Sequence, residues 1–476
     1  MRALSPPASQ EAEDSRLLVP VLGVCVLVST AAYLMVFTML GQIGAALHAS
    51  GALVNWIVIA MIITATVSAA LFPALGSAVG QRRLMVAAMA CLAVGSLVSA
   101  AAPDAATLLI GRIIAALGFS ASSLSIAIVR EHVPAERLPR AFGVLAAYAG
   151  VAAGVGFTVG GLVEEAVRSD WHAVFLAMAA VSVIAGVLAA ATLPQGPPVS
   201  RRPDVPGAVL LAGGLVAALL PITEGAAWGW TSWRVLCLFA GALLLLAAWL
   251  ATELRRADPL VRLDALTLPG VVRGTLLFLV TAATVGIINL TVPAFLEAPA
   301  AAGYGTTASV LDAGLDLLPF ALAITAGGVL AGRLARWIPA RVIAVATLGC
   351  EALALLLLAG FHHAGDQVVI LVAVFGLGHG GTIAVEDLLL TAAVPPPAAG
   401  GVTGVAGALD GISGAVASAV TTALLAAALV RAGPVTLPAA ADYGHVWLCG
   451  AAVAAAGAVY TWSRAVRARR ARRSPA

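Results

Sequence analysis

Arg112, His379, Glu386, Asp387 and Asp410 each interrupt a stretch of sequence that is otherwise apolar. An ionisable side chain at the centre of a membrane helix costs at least about 2.5–3.5 kcal/mol on insertion scales, so it persists where it faces protein or a water-filled cavity. A carboxylate at mid-depth, such as Asp410, can hold a proton in one state and a cationic molecule in another. His379 and Glu386 are seven residues apart and share one helix face, a spacing that lets them pass protons along a cavity wall. Asp387 points about 100° away from that face and is expected to meet interfacial water. Tyr33, Thr38, Asn55, Trp56 and Asn289 are expected to line the same cavity and to meet a small molecule. Asp312 and Asp316, one turn apart, suit a helix N-terminus, where carboxylates complement the helix dipole. Glu351 has no evident partner.

Other chemistries are absent from the pattern. There is no Lys, hence no phosphate-binding Gly-x-x-x-x-Gly-Lys loop. Cys25, Cys91, Cys237, Cys350 and Cys449 stand singly, without ligand or disulfide spacing. No Ser-His-Asp set and no metal constellation is visible. The expectation is therefore a protein without cofactor or metal that is not an enzyme.

The elements that must carry these residues follow from composition. The 476 residues are 61% hydrophobic and only 10% charged, against about 25% charged in a soluble domain. Such a chain cannot cover a water-facing surface, and in lipid only helices or closed barrels satisfy the backbone. The apolar runs are long and unbroken rather than alternating, which selects helices. Fourteen spans are expected, at 17–40, 53–73, 84–102, 105–129, 140–163, 173–193, 207–223, 234–252, 271–295, 313–333, 340–361, 366–393, 401–430 and 444–464. The span at 207–223 is short and carries Pro221. All 26 basic residues are Arg. With both termini in the cytoplasm, Arg168, Arg234 and Arg431 fall outside and Arg112 within a span. The other 22 of the 26 then lie inside, the asymmetry of the positive-inside rule. A multi-pass protein of the cell membrane is expected, acting as a monomer. The Arg-rich tail, Arg464 to Arg473, suits anionic lipid rather than nucleic acid. The first apolar stretch is too long for the core of a signal peptide.

Charged or Pro-rich breaks at 130–140, 194–206 and 253–270 divide the chain. The organisation read from them is an N-terminal six-helix bundle (1–194), an inserted two-helix segment (195–262) and a C-terminal six-helix bundle with its basic tail (263–476). The fifth span carries a stripe of Gly143, Ala147, Gly150, Gly154 and Gly161, and the thirteenth carries Gly400, Gly404, Gly407, Gly411 and Gly414. These spans hold corresponding places in the two halves, and small residues at that spacing let backbones approach closely in lipid. Leu75–Arg83 and Gly328–Arg336 are read as matching Gly- and Arg-bearing turns after the second and tenth spans.

Several segments together resemble the major facilitator superfamily, and within it the fourteen-spanner drug:proton antiporters. Leu75, Gly80 and Arg82 fit its loop motif after the second helix, with Ser77 in place of the motif's Asp. Leu108-Leu-Ile-Gly-Arg112 through Gly118 fits the fourth-helix motif with a buried Arg, Ala115-Ala116 replacing its Gln-Gly. Gly156-Phe-Thr-Val-Gly160-Gly161 is similar to the antiporter motif Gly-Pro-x-x-Gly-Gly, with Phe157 replacing Pro. Asp170-Trp171-His-Ala-Val-Phe175 resembles the Trp-Arg-x-x-Phe that opens the sixth helix. Trp56 resembles the family's second-helix Trp, and Glu224 to Trp230 together with Glu253 to Pro259 resembles the extra helix pair. The first-helix Asp of those antiporters would fall at Ala32. The resemblance implies two six-helix bundles plus the central pair, and a role for Arg112 in proton exchange or in holding a carboxylate. It also implies conformational roles for Leu75, Gly80, Arg82, Gly156, Gly160 and Gly161. The expected activity is proton-coupled export of hydrophobic or cationic small molecules, with protons moving through Arg112, Asp410, Glu386 and His379. A uniporter or importer of the same fold, and a membrane sensor without transport, are the alternatives.

Overall fold

The structure, a computed structural model, describes residues 8–166, 171–194, 204–256, 259, 261–432 and 435–471. It contains α1 (Ala8–Ala46), α2 (Gly51–Val79), α3 (Gln81–Ala100), α4 (Ala105–Ala116), α5 (Ala121–His132), α6 (Leu138–Ala166), α7 (Trp171–Thr192), α8 (Val205–Trp228) and α9 (Trp233–Arg255). There follow α10 (Leu263–Leu266), α11 (Pro269–Glu297), α12 (Val310–Asp316), α13 (Leu318–Leu334), α14 (Ala340–Gly360), α15 (Gly365–Ala392) and α16 (Ala399–Leu425). An antiparallel ribbon of β1 (Leu429–Ala432) and β2 (Val435–Pro438) precedes α17 (Ala440–Ala471).

Fourteen spans among the described residues are long and apolar enough to cross a membrane, as expected. A 3₁₀ turn at Leu117–Ser120 joins α4 and α5 into one of them, and α12 with α13 forms another. The span expected at 207–223 is longer than its apolar core suggests. Asp204 caps α8 through the Gly207 amide, and the helix continues past Pro221 to Trp228. The thirteenth span is shorter than expected, because α16 stops at Leu425 and the ribbon strands take up 429–432 and 435–438. Polar caps set other starts, with Ser50 on α2, Asp104 on α4, Ser232 on α9 and a Ser309/Asp312 capping box on α12. Asp312 thus has the capping role expected of it, while Asp316 closes α12 rather than opening it.

Alternation of the spans collects the Arg-bearing termini at one end of the molecule: Arg82 and Arg83 at α3, Arg130 at α5, Arg140 at α6, Arg255 at α9, Arg333 at α13 and Arg341 at α14. The helices α1 to α7 pack among themselves, chiefly α1 on α6 and α3 on α4 and α7. The helices α11 to α17 do likewise, chiefly α13 on α15 and α14 on α15 and α17. Each half has its own apolar core. One contains Leu22, Cys25, Met85 and Phe142. The other contains Phe295, Phe320, Phe375 and Trp447.

Two seams join the halves, and both use the glycine stripes. In the α6–α13 seam, a Cβ on Gly143 would lie 2.7 Å from the Gly328 carbonyl and 2.9 Å from Gly332 Cα. Any side chain there would force the helices apart. In the α2–α16 seam, Gly400 and Gly404 face the Pro73 and Ala70 carbonyls in the same way. The turn after α13 is not a second copy of the turn after α2. Gly80, at φ 97°, breaks the chain between α2 and α3, whereas Gly328 and Gly332 are helical and serve the seam.

The helices α8 and α9 pack on each other, and α8 packs on α2 and α16. Asp204 and Arg256 pair at 2.7 Å and tie the start of α8 to the end of α9. The far face of α9 is apolar and exposed, with Leu243 at 71% and Leu244 at 70%, as a lipid-facing helix requires. Trp230 and Trp233 are exposed at its outer end, in keeping with interface anchors.

Candidate functional site: a buried array of carboxyl groups

The long helices of the second half bring four acidic residues together. Glu386 and Asp387 come from α15, Glu351 from α14 and Asp410 from α16. Thr281 Oγ1 of α11 donates to Glu386 Oε2 at 2.8 Å. One turn along α11, Thr284 Oγ1 donates to Glu351 Oε2 at 3.0 Å. Thr382 Oγ1 of α15 reaches the other oxygen, Glu351 Oε1, at 2.6 Å. The charges of Glu351, Asp387 and Asp410 all act on Glu386, and that of Asp410 acts on Asp387. Glu351, Glu386 and Asp387 are each at most 4% exposed. Asp387 is thus inside the protein, not in interfacial water, because α15 continues to Ala392 and carries it below the helix end. Repulsion among like charges is strong where the dielectric is low, and a proton on any one carboxylate relieves it.

Asp410 is only half-buried and its charge reaches Tyr33 of α1. Tyr33 lies against Phe119, with ring centroids 4.8 Å apart. This is the point where the first half faces the acidic array. His379 stands two turns from Glu386, stacked on Phe375 at 5.5 Å and 17°, with Nδ1 buried and without a hydrogen-bond partner.

Arg112 does not join this array. It is 1% exposed, with its guanidinium 5.3 Å from the centre of the Phe175 ring. Nη2 donates to the Ala32 carbonyl at 3.3 Å, and Nε and Nη1 have no partner. Among the described residues no carboxylate pairs with it. On α1 the residue it meets is Ala32, through the backbone carbonyl.

Other expected lining residues are scattered. Asn55 donates to Glu224 of α8 at 3.2 Å, and the Trp56 ring lies 6.4 Å from that of Trp228. Both are turned to the α8 helix. Asn289 is half-buried on α11. Thr38 belongs to α1, but its side chain lies outside the described residues, as does that of Ser77. Leu75 packs at the edge of the first core, and Arg82 Nη2 donates to the Ala190 carbonyl at the end of α7. Gly156 lets α6 approach Leu34 of α1. Gly160 and Gly161 are helical, and their surroundings lie outside the described residues.

The sequence pattern does not single out the threonines, although it holds two signals. Thr281 and Thr284 are spaced to share a face of an apolar helix, and Thr382 precedes Glu386 by one turn. Nor does it single out Arg130 of α5. Its Nε and Nη2 donate to the Thr391 and Val394 carbonyls at the end of α15, both at 2.8 Å. This is a two-pronged tie between the halves at their Arg-rich end.

The chain is similar to proteins that share this architecture. It is 31% identical over 390 residues to the puromycin resistance protein pur8 of Streptomyces alboniger, covering 78% of this chain and 74% of that one. It is 28% identical over 240 residues to the tetracenomycin C resistance and export protein of Streptomyces glaucescens, covering 50% of this chain and 44% of that one. The structure of the human organic anion transporter MFSD10 superposes with a TM-score of 0.66 at 16% identity, over 94% of this chain and 99% of that one. The sequence model of the Major Facilitator Superfamily matches residues 22–208 and 197–418. Two helical halves joined along glycine seams, and a match that runs across both, make this chain a multi-pass membrane protein belonging to the Major Facilitator Superfamily.

Proposed function

We propose that the protein is a proton-coupled exporter of hydrophobic or cationic small molecules. The observation that carries this reading is the acidic array, with the partly buried Asp410 at the edge that faces Tyr33. The direction of transport rests on the names of the relatives, which are resistance and export proteins. The Arg-rich end faces the cytoplasm by the positive-inside rule, which puts both termini there and the protein in the cell membrane as a monomer.

The moving parts are residues 1–194 and 263–476, with 195–262 as an inserted pair. Alternating access in such folds is a rocking of halves about a midplane site, and the glycine seams are the surfaces on which they slide. A proton from outside binds the carboxylate of Asp410, forming an O–H bond and removing the negative charge that held a cationic substrate. The substrate leaves outward. The proton then passes to Glu386 and, in the state open to the cytoplasm, to water, which restores the charge. Arg130 closes the cytoplasmic end in the outward-facing part of the cycle.

Ethidium efflux from cells, with and without a collapsed proton gradient, tests this in wild type and Asp410→Asn. Gradient-driven efflux that the substitution abolishes supports the reading. Efflux that is indifferent to the gradient refutes coupling. That result would favour a uniporter or importer of the same fold, a second reading supported by one observation: Arg112 meets Ala32 where an acidic partner would sit.

A further inference from the structure

Glu351 belongs to no motif, lies on a helix at the back of the second half and is fully buried. Three features show a pocket built around its carboxyl group. Gly378 of α15 makes room for it, since a Cβ there would lie 3.1 Å from Glu351 Cγ and 2.7 Å from the Thr347 carbonyl. Each of its oxygens has its own hydroxyl partner, Thr382 for Oε1 and Thr284 for Oε2. Each hydroxyl also has an alternative acceptor on its own helix. Thr284 Oγ1 is 3.2 Å from the Thr281 carbonyl, and Thr382 Oγ1 is 3.1 Å from the Gly378 carbonyl.

A hydroxyl carries one proton to donate and two lone pairs to accept with. With Glu351 ionised, both threonines donate to it. With Glu351 protonated, a threonine turns its own proton to its helix carbonyl and accepts from the new carboxyl O–H. Both protonation states are therefore fully hydrogen-bonded without any movement of the backbone. Buried polar groups left unpaired are costly, so a site satisfied in both states is suited to change between them.

A second hydroxyl continues from Thr382. Thr382 Oγ1 lies 3.0 Å from Thr347 Oγ1, and Thr347 is partly buried on α14, one turn nearer the Arg-rich end. The groups packed around Glu351 are few. Glu386 of α15 and Cys350 of its own helix interact with its charge. On the α17 side, Gly450 and Gly457 lie on Leu355 and Leu348, either side of it.

We infer that Glu351 is a second proton-binding site, loaded and emptied through Thr382 and Thr347 and coupled by charge to Glu386. The binding step forms one O–H bond on the Glu351 carboxylate, using a proton that enters from the Thr347 side. Its part in transport rests on the exporter reading above, where it gives the cycle a second proton; proton binding itself does not.

The test is an infrared difference spectrum of the purified full chain between alkaline and acid pH, with proton uptake measured by a pH indicator. Glu351→Gln is expected to take up one proton fewer per molecule and to lose a carboxylic C=O band. Thr382→Val, a milder change, is expected to keep the band but shift its frequency, since its hydroxyl partner is gone. Unaltered bands and uptake in both variants overturn the site. So does a carboxylate signal that responds to sodium at constant pH, which would make the hydroxyl-lined pocket a sodium site. In proteoliposomes with ethidium as probe, Glu351→Gln is expected to lower the proton-to-ethidium ratio. If wild type moves no ethidium under a proton gradient, the exporter reading fails, and the titration still decides on Glu351.

Discussion

Removing the Arg130 guanidinium should open the Arg-rich end of the protein. Two of its N–H groups hold the Thr391 and Val394 carbonyls at 2.8 Å each; Thr391 is in the last turn of α15, where its carbonyl also accepts from the Val394 amide, and Val394 lies just past the helix end. Hydrogen bonds from a charged donor are worth about 1.5–3 kcal/mol each. Arg130 is half-buried and water can replace part of what is lost, so about 1.5–3 kcal/mol is a reasonable total. At 1.4 kcal/mol per decade, the open population rises roughly 10- to 150-fold. Ala74→Cys supplies a reporter, because Ala74 is 2% exposed and lies beside the Gly400 and Gly404 contacts. Its labelling by a membrane-impermeant maleimide in inside-out vesicles should accelerate by that factor in Arg130→Ala, with the chain lacking the added cysteine as blank. Arg130→Lys keeps the charge but loses the fork, and should fall between. An Arg130→Ala protein that inserts normally and labels at the wild-type rate would refute the reasoning.

Arg112→Met removes two buried donors without partners, each costing about 1–3 kcal/mol, so thermal unfolding in detergent should shift upward while transport is lost; a lowered melting temperature would mean that Arg112 is paired in the membrane. Ala32→Asp should be tolerated beside Arg112 but strongly destabilising when combined with Arg112→Met, a double-mutant cycle read by the same melts. Gly404→Val drives a side chain into the Ala70 carbonyl and should abolish ethidium efflux at normal expression, overpacking of this kind costing about 1–3 kcal/mol. Trp447→Phe loses the 2.9 Å bond from Nε1 to Thr291 Oγ1, about 0.5–1.5 kcal/mol in chemical melts. Asp104 lies outside the spans, and the Thr107 amide it caps holds its carboxyl below the usual carboxylate range. That stabilisation is present at neutral pH and is lost as pH falls through the folded value. Asp104→Asn should keep the cap and flatten the acid side of the stability profile.

What can be read from the sequence differs by length scale. The fourteen spans are legible because lipid imposes a crude rule, roughly 20 apolar residues each, and the glycine stripes because close helix approach tolerates nothing larger. Ends are less legible. Pro221 suggests a short seventh span, but α8 runs past it, and the ribbon strands at 429–432 and 435–438 hide within an apolar stretch. The acidic residues are visible one by one, since each is anomalous in lipid. Their grouping is not, for it depends on how α11, α14, α15 and α16 are rotated against each other. Glu351 has no apparent partner in the sequence for that reason, as its partners are threonines, which are ordinary residues in membrane helices. Arg112 fails in the opposite direction. Its helix position is clear, but its environment is set by Ala32, eighty residues earlier.

The placement of α8 and α9 bears on how an oily molecule enters. If the substrate of the proposed exporter is dissolved in the bilayer, it would arrive sideways, and the two seams between the halves would be its doors. Both seams set backbone against backbone, so parting either moves a whole helix. The α2–α16 seam is flanked by α8, whose partner α9 turns a leucine-covered face outward. The pair stands as a porch before that door. On the exporter reading, lateral traffic would either displace α8 or use the side of the seam that it leaves uncovered, so α8 and α9 would filter by approach before any residue of the site is met.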